Sequence, residues 1–246
     1  LITHTFSDGS LAIRGDAADP AVIAAATQNP IALVVTDPPY GGITKEEWDV
    51  LDPKELATTL QHYSSAALRG AAFYVWGGVG KVGHRPFFDF IRECEERTPL
   101  RMLDLITWAK KRAYGTPHKY LFTREECAYF CNADRPRLFN IPLLDTKRPY
   151  AGYNKKYPAK SEFYRRTNVW TDITEILRGK THPTEKPVKL FEIPILAHTN
   201  PGEWVVDMFA GSGTAAVAAR KHGRRFVVIE RNPGIYENML HRLREC

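Results

Sequence analysis

The chain has 246 residues, 43% apolar and 25% charged, which excludes a disordered or fibrous protein and fits one hydrophobic core with an insertion. Its formal charge of +6 favours a polyanionic partner. Cys94, Cys127, Cys131 and Cys246 form no CxxC pair and have no histidine at finger-like spacing, so a zinc site and a disulfide framework are set aside for free thiols in a reducing cytoplasm.

No apolar run is long enough to span a membrane. The chain opens on Leu1 rather than Met, and Leu1–Ser10 lack a basic segment followed by an apolar one, so no secretory signal is expected there. Leu11–Arg14 reads as a short strand ending at Gly15-Asp16. Ile31–Thr36 is almost continuously apolar, which predicts a strand buried on both faces. Asp52, Pro53 and Glu55 form a helix start, with Leu56, Leu60, Tyr63 and Ala67 on one stripe and Gly70 as the expected stop. Ala71–Trp76 is the next strand. Pro86 opens a second helix that buries Phe87, Phe90, Ile91 and Cys94 and ends at Thr98-Pro99. Leu103–Trp108 and Cys127–Cys131 read as strands. A third helix runs from Pro187 to Asn200-Pro201-Gly202, with a kink expected at Pro194. Trp204–Met208, a helix over Thr214–His222 and Arg225–Ile229 complete the series. Seven strands alternating with helices point to an α/β sheet.

Two segments carry the chemistry. The first is Phe209-Ala210-Gly211-Ser212-Gly213-Thr214, which joins a strand to a helix. Gly211 and Gly213 let the backbone turn close to a ligand. Glu230 follows Gly211 by nineteen residues, at the end of the next strand, where a carboxylate can accept both ribose hydroxyls. The unit suits an adenosine-containing cofactor. Gly211, Gly213 and Ala216 also match the dinucleotide fingerprint, so a nicotinamide-dependent oxidoreductase competes. Asp207 favours S-adenosylmethionine, because a carboxylate opposes a pyrophosphate and attracts an ammonium.

The second segment is Asp37-Pro38-Pro39-Tyr40, directly after the buried strand. Two prolines stiffen the loop. The Asp37 carboxylate and the Pro38 carbonyl can accept the two N–H bonds of a planar amine while Tyr40 stacks on its ring. That arrangement orients the nitrogen lone pair and places acceptors where positive charge develops. The bland alternative is a rigid turn with a capping aspartate.

Together these segments resemble the amino-methyltransferases that modify exocyclic nitrogens of DNA bases. The target motif at 37–40 precedes the cofactor motif at 209–213, an order similar to the circularly permuted β class. Thr181-His182-Pro183-Thr184-Glu185-Lys186-Pro187 resembles the family segment lining the methionine end of the pocket, and Gly15-Asp16 the segment contacting adenine. Ile106–Lys110 and Asn168–Trp170 also resemble family segments, whereas Met208 stands where many members have proline. The resemblance implies a Rossmann-like, mostly parallel seven-stranded methyltransferase sheet with helices on both faces. It assigns Asp37, Pro38, Pro39 and Tyr40 to catalysis. The cofactor set it implies is Asp16, Asp37, His182, Thr184, Lys186, Asp207, Phe209, Gly211, Ser212, Gly213, Thr214 and Glu230, with no metal. His182 is read as a loop or cofactor contact rather than a base, and Lys186 as a partner for backbone or a carboxylate.

Between Lys147 and Arg166 seven cations stand against one acid, a surplus equal to the charge of the whole chain. Tyr150, Tyr153, Tyr157, Phe163 and Tyr164 are interleaved with them. Cations with aromatics suit phosphates and stacked bases; a solvated loop is the alternative. The nucleic-acid candidates are Lys147, Arg148, Tyr153, Lys155, Lys156, Lys160, Arg165 and Arg166. Residues 132–180 are expected as the target-recognition insertion into a catalytic core of 1–131 and 181–246. The expected activity is methyl transfer from S-adenosylmethionine to adenine N6 in double-stranded DNA by a cytoplasmic enzyme of a bacterium, prophage or phage. Cytosine N4 is the nearest competitor, an RNA or protein-glutamine methyltransferase and a non-catalytic relic the others. The resemblance leaves room for a homodimer and for a companion restriction endonuclease.

Overall fold

The computed structural model describes residues 1–41, 50–78, 80, 85–115, 117–118, 120–147, 161–175 and 185–245. In chain order the elements are β1 (Ile2–Thr5), β2 (Leu11–Arg14), α1 (Pro20–Ala26), β3 (Ile31–Thr36), α2 (Pro53–Ala66), β4 (Ala67–Gly77) and α3 (Pro86–Arg97). There follow β5 (Arg101–Tyr114), β6 (Phe122–Cys131), β7 (Leu143–Lys147), β8 (Phe163–Arg165), β9 (Val169–Trp170) and α4 (Val188–His198). The last four are β10 (Trp204–Asp207), α5 (Thr214–Lys221), β11 (Arg225–Glu230) and α6 (Pro233–Glu245).

The main sheet has the order β1-β2-β11-β10-β3-β4-β6-β5-β9. Strands β2, β11, β10, β3 and β4 run parallel, as do β5 and β9; β6 is antiparallel to both β4 and β5, and β1 to β2. The seven predicted strands are the seven central ones. The sheet nevertheless has nine strands and is mixed, a correction to the seven-stranded expectation. The two additions lie at the edges: β1 is four largely exposed residues and β9 only two. β1 has Ile2 as its single apolar residue and β9 has only two residues, so neither shows an apolar pattern.

All six residues of β3 are buried, because helices cover both faces of the sheet. One apolar cluster joins Leu33, Val35 and Val205 to α4, α5 and α6; the other joins Val34, Phe73 and Val206 to α1, α2 and α3. Helix α2 starts as predicted, with the Asp52 carboxylate accepting from the Lys54 and Glu55 amides. Its end is a correction. It stops at Ala66 and the chain passes straight into β4, where Gly70 sits at φ +78°. A β-carbon there would lie 2.6 Å from the Arg137 amide nitrogen, so Gly70 serves close backbone approach inside a strand. Helix α4 continues through Pro194. Helices α1 and α6 were not predicted, although Asp19-Pro20 and the helical spacing of Tyr236, Met239, Leu240 and Leu243 were in view. Within 132–180, β7 and β8 form a separate two-stranded sheet, whereas Trp170 and Ile173 belong to the main core. No helix among the described residues is long and apolar enough to cross a membrane.

Candidate active site

Strands β3 and β10 are parallel neighbours. From β3 the chain passes through α2 to β4 on one side, and from β10 through α5 to β11 on the other. The two connections leave on opposite faces, so a crevice opens beyond the carboxyl ends of these strands, where open α/β sheets bind ligands. A cavity of about 670 Å3 lies there, within the size class of small-molecule sites. Asp37–Tyr40 after β3 and Met208–Ser212 after β10 line it together. Gly15 and Asp16 after β2, Lys186 ahead of α4, and Trp108, Lys110 and Glu125 from β5 and β6 complete its wall. The two predicted motifs, distant in sequence, therefore share one cavity.

On the glycine-loop side, Gly211 adopts φ +50° and Gly213 φ +79°. A β-carbon on Gly211 would meet nothing within 4 Å, whereas one on Gly213 would lie 2.8 Å from Met239 Cγ. Gly211 thus gives access to the cavity, and Gly213, the residue that caps α5, gives close packing against α6. Arg242 of α6 donates to the Ser212 carbonyl at 3.1 Å and to its hydroxyl at 3.0 Å, and pairs with Glu185 at 2.9 Å. The Ser212 and Thr214 hydroxyls lie 3.2 Å apart and both residues line the cavity, as does Phe209. The Glu230 carboxylate accepts from the Gly211 amide at 2.9 Å and the Asn232 amide at 2.8 Å; burial raises its pKa. Asp16 accepts from the Ala18 amide at 2.9 Å and is more than half exposed at the rim.

Asp207 is 2% exposed. Its Oδ1 accepts from the Thr36 hydroxyl at 2.7 Å and the Phe209 amide at 3.1 Å, and Thr36 Oγ1 in turn accepts from the Met208 amide. Thr36 therefore ties the end of β3 to the end of β10. Burial pushes the Asp207 carboxyl up to about 7, against the pull of the Thr36 and Phe209 donors, with Asp37 and Glu230 adding to the rise.

On the other side, the Tyr40 hydroxyl lies 2.9 Å from Asp37 Oδ1 and 3.1 Å from Glu125 Oε2. It has one proton and can donate to only one of them. Lys186 pairs with Asp37 Oδ2, donates to the Tyr40 hydroxyl at 2.7 Å and lies 3.3 Å from Glu125 Oε2; Lys110 pairs with Glu125 Oε1. Burial raises the Asp37 pKa, against the pull of Lys186 and with the charge of Glu125 adding to it. Burial also opposes ionisation of Glu125, but Lys186 and Lys110 outweigh it and hold that carboxyl down to about 2. Burial opposes the Lys186 charge, yet Asp37 and Glu125 keep its pKa above the ordinary value.

Of the predicted site residues, Asp16, Asp37, Pro38, Pro39, Tyr40, Lys186, Asp207, Phe209, Gly211, Ser212, Thr214 and Glu230 line this cavity. Lys186 meets the target-motif carboxylate rather than the glycine loop. Gly213 lies behind the loop, against Met239. His182 and Thr184 lie outside the described residues, as do Arg148, Tyr153, Lys155, Lys156 and Lys160. Lys147 pairs with Glu162 at 3.8 Å, both largely exposed, and the Arg165 guanidinium lies 5.7 Å from the Phe139 ring centre. The Arg166 guanidinium grips both Asp172 oxygens, at 2.5 and 2.8 Å, and its side chain is almost wholly buried in that internal pair. Sequence reasoning missed Thr36, Glu125 and Arg242, and gave Lys110 no role of its own. The only local sign at Glu125 is an acidic pair, Glu125-Glu126, entering an apolar strand.

A family model described as a DNA methylase, covering adenine-N6 and cytosine-N4 enzymes by its name, matches residues 31–241. The type II methyltransferase M1.MboII of Moraxella bovis is 26% identical over 230 residues, 82% of this chain and 85% of that protein. The structure of the M1.HpyAVI–SAM complex has a TM-score of 0.64 at 22% identity, covering 94% of this chain and 98% of the other. The cytosine-N4-specific PvuII DNA methyltransferase has a TM-score of 0.70 at 17% identity, covering 94% and 85%. These structures share the fold.

Proposed function

The chain belongs to the DNA methylase family that matches residues 31–241, and we propose that it transfers a methyl group from S-adenosylmethionine to the N6 amine of adenine in double-stranded DNA. The observation that carries this reading is the convergence of the Asp-Pro-Pro-Tyr loop and the glycine loop on one cavity.

The wall suits that cofactor. Seven acidic residues and three basic ones line the cavity, a balance that favours a ligand carrying sulfonium and ammonium charges over a pyrophosphate. This weighs against the nicotinamide alternative. Gly211 leaves the loop open to the cavity, Glu230 is placed for a ribose, and Asp207 for the ammonium. The bound cofactor supplies an electrophilic methyl group.

The chain's own residues position the acceptor. A base amine inside the duplex is paired and out of reach, so the target nucleotide must be flipped out. Asp37 and the Pro38 carbonyl accept its N–H bonds, Pro38 and Pro39 hold that geometry stiff, and the Tyr40 ring stacks on the base. Residues 1–131 and 181–246 form the catalytic core, and 132–180 supply DNA contacts through Lys147 and Arg165. Aspartate at position 37, where serine is common in cytosine-N4 enzymes, favours adenine.

Mass spectrometry of nucleosides from unmethylated DNA incubated with the protein and S-adenosylmethionine tests the reading. N6-methyladenine is the expected product. N4-methylcytosine alone would transfer the assignment to the competitor, and neither product would refute methylation of DNA. Asp37→Ala should slow product formation by about 100-fold or more, a cost of about 3 kcal/mol in the transition state, typical of losing a preorganised polar partner.

A further inference from the structure

The ammonium of Lys186 is buried between three oxygens, two from the target loop and one from β6: Asp37 Oδ2, the Tyr40 hydroxyl at 2.7 Å and Glu125 Oε2 at 3.3 Å. It also lies 5.0 Å from the Tyr40 ring centre and 5.9 Å from that of Trp76. Lys110 neutralises the other oxygen of Glu125. Two carboxylates and two ammoniums therefore close a neutral cluster against the tip of the target loop. Asp37 also faces the Asp207 carboxyl of β10 and the Cys127 thiol of β6.

This arrangement raises a conflict. A buried carboxylate with no cation beside it takes up a proton and ceases to be a full acceptor. Lys186 pulls against that uptake at Asp37. Yet an ammonium kept beside a nitrogen that turns positive during attack opposes the reaction. Glu125 resolves the conflict, because it is already within 3.3 Å of Lys186 and remains ionised under the joint hold of two lysines.

We propose that Lys186 is a positioning residue that keeps Asp37 an ionised acceptor before the target amine arrives, and that Glu125 receives Lys186 when the amine takes its place on Asp37. Lys186 then shortens its contact with Glu125 as it gives up Asp37, and Tyr40 turns its proton to whichever oxygen is left. This assignment rests on the methyl-transfer reading above.

The test is single-turnover methylation of genomic DNA from a methylase-deficient strain, measured against pH for the full chain and for Lys186→Met, Lys186→Arg and Glu125→Gln. S-adenosylmethionine binding is followed by calorimetry in parallel. Lys186→Met should raise the midpoint of the acid limb by about 1–3 pH units and lower the plateau rate about 100-fold. Lys186→Arg should keep the native midpoint. Glu125→Gln should move the midpoint down, because a repelling charge is lost, and slow the plateau, because Lys186 has nowhere to go. Cofactor affinity should stay within about threefold throughout, since neither side chain reaches the glycine loop. Unmoved midpoints in all variants overturn the proposal, and so does a tenfold loss of cofactor binding in Lys186→Met, which would make Lys186 a cofactor ligand. If Lys186→Met does not fold, the downward shift in Glu125→Gln decides the matter. A native protein that binds the cofactor but methylates no DNA overturns the methyltransferase reading and the proposal with it.

Discussion

Replacing Asp207 by asparagine should stabilise the ligand-free protein at alkaline pH. The carboxyl titrates near 7 in the folded protein instead of its ordinary 3.8, chiefly through burial. An acid whose folded pKa is raised contributes stability below its unfolded pKa and loses it as pH rises through the folded value. The native protein therefore loses up to about 4 kcal/mol from this group between roughly pH 4 and pH 7. The amide introduced by Asp207→Asn keeps an oxygen for the Thr36 hydroxyl and the Phe209 amide but has no carboxyl proton to lose. Urea unfolding across pH 4–8 should give nearly equal stabilities at the acid end and a variant about 2–4 kcal/mol more stable at pH 8. The comparison must be between the two proteins. Burial holds His198 down to about 4, so that residue loses stability in the opposite direction, as pH falls from its unfolded pKa. A cationic ligand reverses the Asp207 effect: S-adenosylmethionine affinity should rise from pH 6 to pH 8 in the native protein and stay flat in Asp207→Asn. Parallel stability curves for the two proteins would refute the reasoning.

The two glycines of the loop should separate packing from ligand access. Gly213→Ala forces a β-carbon to within 2.8 Å of Met239 Cγ at φ +79° and should cost about 2–4 kcal/mol in thermal or urea unfolding. Gly211→Ala, with space around it, should cost about 1 kcal/mol and show its main effect in cofactor affinity. Asp52→Ala removes acceptors for the Lys54 and Glu55 amides and should destabilise by about 1 kcal/mol with methylation rates unchanged. In DNA-binding titrations over a salt series, Lys147→Ala and Arg165→Ala should each reduce the slope by about one. Arg166→Ala should instead lower the unfolding midpoint, because it removes the two-pronged pair with Asp172 and leaves that carboxylate only Lys189 at 3.1 Å, and leave the slope as it was.

Much of the site was legible because each motif follows a strand that the sequence marks plainly. Asp37 follows six buried residues and Gly211 follows Trp204–Asp207, so both could be placed at strand ends before their neighbours were known. What was hidden depends on which strands lie side by side. Thr36 is an ordinary strand residue until β10 is set beside β3; its bond to Asp207 spans 171 positions. Glu125 lies 85 positions from Tyr40 and reaches it only because β6 is reversed between β4 and β5. Lys186 was expected to meet backbone or a carboxylate; that it meets Asp37 and Glu125 is a question of topology. Arg166 shows the converse: its charge was evident, and its partner, Asp172, lies only six positions away, yet composition counts a cation without showing whether it is already paired.

A crystal structure of the protein with a non-reactive S-adenosylmethionine analogue and cognate DNA tests the central claim most directly. The account predicts the analogue between Glu230 and Asp37, an extruded adenine with its amino group on Asp37, and Lys186 closed onto Glu125. An analogue bound elsewhere, or a base amine turned away from Asp37 with the analogue in place, would contradict it.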